Sequence, residues 1–283
     1  MELVSLSETS ADFTEDDIET RNSRIINGFI DFLKETNQTC WQILPLNPTS
    51  YGDSPYQSPS SLAGNPYFID LDLLYQDKLL TKDELKENIN KSKNVDYGWL
   101  FNTRFNVLRK AFNRFVKNDD YYEFLKRSDY WLNDYAKFMA LKEKNNYKDW
   151  LNWDRLDVNE EDLEFWYFIQ YLFDKQWNDV LKYAHDNGIT IIGDMPIYVA
   201  LDSVDVWMNK SDFLLDKDNY PTLVAGCPPD GFSPDGQLWG NPIYNWEKMK
   251  QDNFSWWIKR IKRHLELYDI IRIDHFRGFA GYY

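Results

Sequence analysis

Only two cysteines occur in 283 residues, Cys40 and Cys227, far apart and in no metal-ligand spacing. That excludes a disulfide framework and a cysteine-built zinc site, and reduced thiols in a cytoplasm account for both. No apolar run approaches the length of a membrane span, and the acidic start lacks a basic-then-apolar leader. A soluble, non-secreted, cytoplasmic chain is therefore expected, and the sequons at Asn37, Asn209 and Asn253 carry little weight. There is no basic block either. Lys and Arg number 32 against 46 Asp and Glu, a net charge of −14, which disfavours nucleic acid and anionic membranes and suits a neutral ligand. Near the strand ends there is no glycine-rich phosphate loop or basic cluster, which argues against phosphorylated sugars.

Aromatic residues, by contrast, are abundant at 17 %, with 12 tryptophans. Flat rings suit the apolar faces of sugars, and they equally suit ordinary packing; composition leaves both open. The length allows one large α/β domain, or a barrel with an insertion. Residues 1–25 are polar and acidic, read as a poorly ordered N-terminus. Ile25, Ile26, Phe29, Ile30 and Leu33 then recur at helical spacing, and Cys40 to Leu44 follows as a strand. This helix-then-strand unit returns twice. Phe173 to His185 leads through Asn187-Gly188 to a strand ending at Gly193-Asp194, and Phe254 to Leu267 leads to Ile270–Ile273. Each strand runs into polar or proline-rich residues, as in a βα barrel whose loops form the site. Between the first two units, Leu74 to Asp157 reads as helices, with Thr81 to Glu84 at capping-box spacing. The apolar stripes Phe101-Phe105-Leu108-Phe112-Phe115 and Tyr122-Leu125-Trp131-Tyr135-Phe138 read as core.

The stretch Arg272-Ile273-Asp274-His275 is the first candidate for chemistry. Side chains alternate along a strand, so Arg272 and Asp274 share one face and Ile271 and Ile273 the other. In a barrel the pair would point inward at the strand's carboxyl end, the guanidinium favouring the charged form of Asp274. A carboxylate nucleophile and a structural ion pair both fit that spacing. The loops add Tyr51 to Pro59, rigidified by proline and rich in Tyr, Ser and Gln, and Asp194 at the second strand's end. They add also a punctuated loop from Ala225 to Pro242, with an exposed ring expected at Trp239.

Five segments in order, Tyr51-Gly52-Asp53-Ser54-Pro55-Tyr56-Gln57-Ser58, Gly64-Asn65-Pro66, Gly193-Asp194-Met195-Pro196-Ile197, Gly236-Gln237-Leu238-Trp239-Gly240-Asn241-Pro242 and Arg272 to Gly278, resemble the amylomaltases. These are 4-α-glucanotransferases related to the α-amylase superfamily. The resemblance implies an α/β fold, a partial (β/α)8 TIM barrel with a helical insertion subdomain. Residues 26–73 and 158–283 would form the barrel part and 74–157 the insertion. It implies no cofactor and no metal for chemistry. The implied ligands are maltooligosaccharides and α-1,4-glucans, with glucose as acceptor and a retaining, covalent mechanism. By the same resemblance Asp274 is the nucleophile and Arg272 its cationic neighbour. Tyr56, Asp194 and His275 line the attached sugar; Ser54, Gln237 and Trp239 contact adjacent glucose units; Tyr51 and Asp230 belong farther out. Gly231 stands where many members have an aromatic ring.

In that family the acid/base is a glutamate on the strand after the nucleophile's, beyond Tyr283, and residues 1–25 do not match the family's opening strand. The chain alone is therefore expected to be inactive or much weakened, and to self-associate or need a complementary C-terminal segment. The rival readings are an α-glucan hydrolase of the same superfamily and a glucan-binding or inactive fragment.

Overall fold

The computed structural model describes residues 21–281 other than Lys91, Lys93, Asp230 and Phe232. The expectation of poor order at the N-terminus thus falls, through residue 20, outside the described residues. From there helix α1 (Arg21–Glu35) leads to strand β1 (Cys40–Gln42). Helices α2 (Leu71–Gln76), α3 (Lys82–Glu87), α4 (Tyr97–Phe112), α5 (Asp119–Lys144) and α6 (Glu160–Asp186) follow before strand β2 (Thr190–Met195). Next come helix α7 (Val204–Met208), strands β3 (Val224–Cys227) and β4 (Gln237–Pro242), and helices α8 (Trp246–Gln251) and α9 (Ser255–Leu267). Strand β5 (Ile270–Ile273) closes the order.

Strands β1, β2 and β5 form one parallel sheet with β2 in the centre. Each is delivered by the helix before it, as the repeated unit in the sequence predicts. The local chemistry explains the hand-over from α6 to β2. Asn159 caps the start of α6 in a reciprocal capping box with Asp162, and three acidic residues in the first turn complement the helix dipole. At the other end Gly188 takes φ +75° and Ile189 N–H returns to the Ala184 carbonyl at 2.9 Å, which stops the helix and aims the chain into the sheet. The helix starts well before the Phe173 that its amphipathic pattern predicts, because Phe165, Trp166 and Phe168 pack on rings of α4, and Trp166 also on Tyr135 of α5.

The helical stripes are core along most of their length, but Phe101 and Tyr122, the first residue of each, are exposed, so the expectation fails there. Phe112 lies 5.7 Å from Phe165 and Phe105 lies 5.3 Å from Trp166; on α5 Trp131, Tyr135 and Phe138 are buried, Tyr135 edge-to-face on Trp166 and Phe138 against Trp153 and Trp207. Full burial of such a ring stabilises by roughly 1.5–3 kcal/mol, so most of the aromatic excess is used in packing. Among the described residues no helix is long and apolar enough to cross a membrane.

The punctuated loop from Ala225 to Pro242 is a hairpin: β3 and β4 pair antiparallel, with an irregular register between Val224 and Gly226. Strands of four and six residues separated by Pro228, Pro229 and Pro234 are too short to show a period in the sequence. Trp239 accordingly sits on a strand with its ring half-buried rather than exposed.

Candidate active site

The register Asp194↔Arg272 sets these two residues side by side at the carboxyl ends of β2 and β5, on one face of the sheet. Close packing underneath fixes that arrangement. The Tyr268 ring lies directly on Gly193, where an added Cβ would fall 2.1 Å from ring carbons. The same tyrosine's hydroxyl accepts the Leu46 N–H at 3.1 Å, tying the exit of β1 to the start of β5. Asp274 N–H donates to the Met195 carbonyl at 3.0 Å and continues the ladder by one residue past the strand. Ile271 and Ile273, on the other face, pack against the core.

Arg272 bridges two carboxylates. Its Nη1 donates to Asp194 Oδ1 at 2.5 Å and its Nη2 to Asp274 Oδ1 at 2.9 Å. Asp194 is buried, its side chain 3 % exposed, whereas Arg272 is 46 % and Asp274 38 % exposed. The two acids therefore differ in kind. Both oxygens of Asp194 are engaged, since the Tyr56 hydroxyl donates to Oδ2 at 2.5 Å. Among the described residues Oδ2 of Asp274 makes no hydrogen bond and is free to meet a ligand. Hydrogen bonding to Asp194, then the two negative charges, raise the Arg272 pKa further, so the bridge stays cationic. Burial, reinforced by Asp194, pushes the Tyr56 phenol well above its ordinary range and keeps it a neutral donor.

The loops close around this centre. His275 adopts φ 49° and meets the Trp239 ring edge-to-face, centroids 4.9 Å apart, with Tyr198 at 6.4 Å. The Gln237 side chain accepts from Trp239 Nε1 at 3.0 Å. Ser54 Oγ accepts the Tyr56 N–H at 3.2 Å and so shapes the turn that presents the phenol. Tyr51 opens a short 3-10 turn, Tyr51–Asp53, in the same loop, and Asp230 lies outside the described residues. The structure thus brings Tyr56, Asp194, Arg272 and Asp274 into direct contact, and Trp239, Gln237 and His275 into a second contiguous group. Among the described residues no cluster of three His, Cys, Asp or Glu side chains has metal-binding geometry.

Several further residues hold the site together without a signal of their own in the sequence. Gln57 and Asn241 lace the first loop to the hairpin, Gln57 Nε2 donating to Trp239 O and Asn241 Oδ1, each at 3.2 Å. Asn241 Nδ2 donates in turn to Val199 O at 2.9 Å. Buried Arg260 of α9 donates to the carbonyls of Pro196 and Ile197, just after Asp194, and Tyr244 OH joins it on Ile197 O. Gln57 and Asn241 stood inside recognised segments, and only the three-dimensional partner reveals their work. Arg260 has no such signal, because its place in α9 reads as one more cation on an amphipathic helix.

A buried, saturated carboxylate and a more open one, bridged by a guanidinium, thus lie at the carboxyl ends of neighbouring parallel strands, where open and closed parallel sheets alike place their ligands. Comparison with known proteins agrees. The 4-alpha-glucanotransferase family profile matches residues 23–283. A 4-alpha-glucanotransferase of Clostridium butyricum is 51 % identical over 273 residues, covering 90 % of this chain and 56 % of that protein. An amylomaltase from Streptococcus agalactiae, solved in complex with acarbose, superposes with a TM-score of 0.84 at 44 % identity, over 93 % of this chain and 57 % of that one. An amylomaltase from Corynebacterium glutamicum, 20 % identical over 93 % of this chain and 39 % of that one, shares the fold with a TM-score of 0.70. The chain belongs to the 4-alpha-glucanotransferase family. It spans about half the length of the curated relatives it matches.

Proposed function

We propose that this chain carries the nucleophile half of a 4-α-glucanotransferase site. There a segment of an α-1,4-glucan is cut, held on the protein and passed to a 4-hydroxyl of glucose or another glucan. The observation that carries the reading is the asymmetric pair: Asp194 saturated by Tyr56 and Arg272, Asp274 with one oxygen free. Asp274 attacks the anomeric carbon through Oδ2 while Arg272 holds Oδ1, which fixes the carboxylate plane without masking the reacting oxygen. Asp194 and Tyr56 bind hydroxyls of the attached sugar, and His275 flanks it. Trp239, Gln237 and Ser54 contact neighbouring glucose units, and Tyr51 and Asp230 extend the surface outward.

Retention requires a second carboxyl group about 5–5.5 Å from the first to protonate the leaving oxygen and then activate the acceptor. Asp194 is a poor candidate, because it is buried and both its oxygens are occupied, by Tyr56 and Arg272. The reading therefore assigns the acid/base to another segment, and the chain by itself should turn over ~10²–10⁴-fold more slowly than a complete site. The three parallel strands belong, on this reading, to a (β/α)8 barrel formed by residues 26–73 and 158–283, with 74–157 as a helical insertion. The ligands are maltooligosaccharides, and the cellular place is the cytoplasm.

Titration calorimetry with maltotetraose and acarbose, paired with a maltotriose disproportionation assay, tests the proposal. Saturable binding that Asp194→Ala weakens supports it. Release of reducing ends without longer glucans would favour a hydrolase instead.

A further inference from the structure

The hairpin that carries Gln237 and Trp239 is tied by one amide to the loop that presents Tyr56. Gln57 Nε2 donates both its hydrogens to acceptors on β4, the Trp239 carbonyl and Asn241 Oδ1. The orientation of that amide is dictated by the network. Asn241 is buried, and its own Nδ2 donates to Val199 O at 2.9 Å, so its oxygen must face Gln57. Gln57 is then the only side chain type of its size that can satisfy both acceptors without a charge. Beyond β4, the Trp239 ring stands edge-to-face on His275, the residue after Asp274.

We propose that Gln57 is a positioning residue: it sets the place of Trp239, and through it the Trp239–His275 wall of the glucan cleft, without touching the ligand itself. This rests on the glucan-binding reading above. Three segments remote in sequence, the loop after β1, the loop after β2 and the hairpin, thereby meet at one hydrogen-bonded joint. A glutamate at position 57 keeps the shape but replaces the one nitrogen that serves both acceptors by a carboxylate oxygen, which repels the hairpin; a leucine keeps bulk and removes the donor.

The test is a double-mutant cycle read by maltotetraose calorimetry on the full chain, with Gln57→Glu, Gln57→Leu, Trp239→Ala and the pairs. Gln57→Glu should weaken binding about ten-fold, Gln57→Leu about five-fold, and neither should weaken it more than about two-fold once Trp239 is already alanine. Equal losses in both backgrounds, or wild-type binding by Gln57→Glu, would overturn the proposal. Backbone hydrogen exchange separates this failure from failure of the functional reading. Gln57→Glu should lose protection across β3 and β4 while β2 keeps its own. If the wild-type chain bound no glucan, the functional reading would fall, and unchanged hairpin protection would remain the result that overturns the role of Gln57.

Discussion

Acidification should destabilise this protein through one buried histidine. His264 on α9 is fully buried between the cations Arg260 and Arg263 and near the Tyr268 ring, and its Nδ1 faces the Arg260 carbonyl at 2.9 Å. Facing a carbonyl, Nδ1 must carry the proton, and Nε2 is left buried without a partner. Burial first, then the Arg260 charge, lowers its pKa to about 3. An unfolded histidine titrates near 6.5, so below that pH the unfolded state takes up a proton that the folded state refuses. Stability is therefore full above pH ~6.5 and is lost as pH falls toward the folded value. Linkage gives a loss of roughly 2 kcal/mol between pH 7.5 and 5, growing toward ~5 kcal/mol near pH 3. Carboxylates also titrate in the lower part of that window, so the assay is a difference. Urea unfolding of wild type and His264→Leu at pH 7.5, 6 and 5 should show the variant losing about 2 kcal/mol less over the range. Parallel slopes for the two proteins would refute the reasoning.

Other consequences are open to direct measurement. Gly193→Ala would drive a methyl into the Tyr268 ring beneath the site and should cost about 1–3 kcal/mol or more in urea unfolding, whereas Gly28→Ala on α1, where an added Cβ meets nothing within 4 Å, should stabilise by about 0.8 kcal/mol. Strands β1 and β5 are the outer strands of the described parallel sheet, and Ile270 is 48 % exposed, so concentrated solutions should self-associate; a monodisperse monomer in solution scattering would contradict this. Tyr56→Phe removes one of the two partners of buried Asp194 and should weaken maltotetraose binding about ten-fold, and calorimetry showing wild-type affinity would count against the assignment.

Local signals made much of this architecture legible. The strand ending in Asp194 and the one ending in Arg272-Ile273-Asp274 announce themselves by β-branched residues, and the helix stop at Asn187-Gly188 by glycine, because these are short-range chemical preferences. The alternation that placed Arg272 and Asp274 on one face was readable for the same reason. What the alternation could not reveal was that Arg272 divides its guanidinium between two acids, since Asp194 is 78 residues away and only the β2–β5 register brings it alongside. The hairpin was hidden by its own brevity. Gln57, Asn241 and Arg260 act on backbone carbonyls, and carbonyls leave no trace in a residue pattern.

The central claim is a covalent bond between Asp274 and glucose, and an activated donor tests it most directly. A fluorinated maltosyl fluoride carries a leaving group that needs no protonation, so it can trap the intermediate whether or not an acid/base is present. Incubation followed by peptide mass spectrometry should find a single maltosyl ester, on Asp274, absent from Asp274→Asn. A label on Asp194 or any other side chain, or one that persists in Asp274→Asn, would contradict the account.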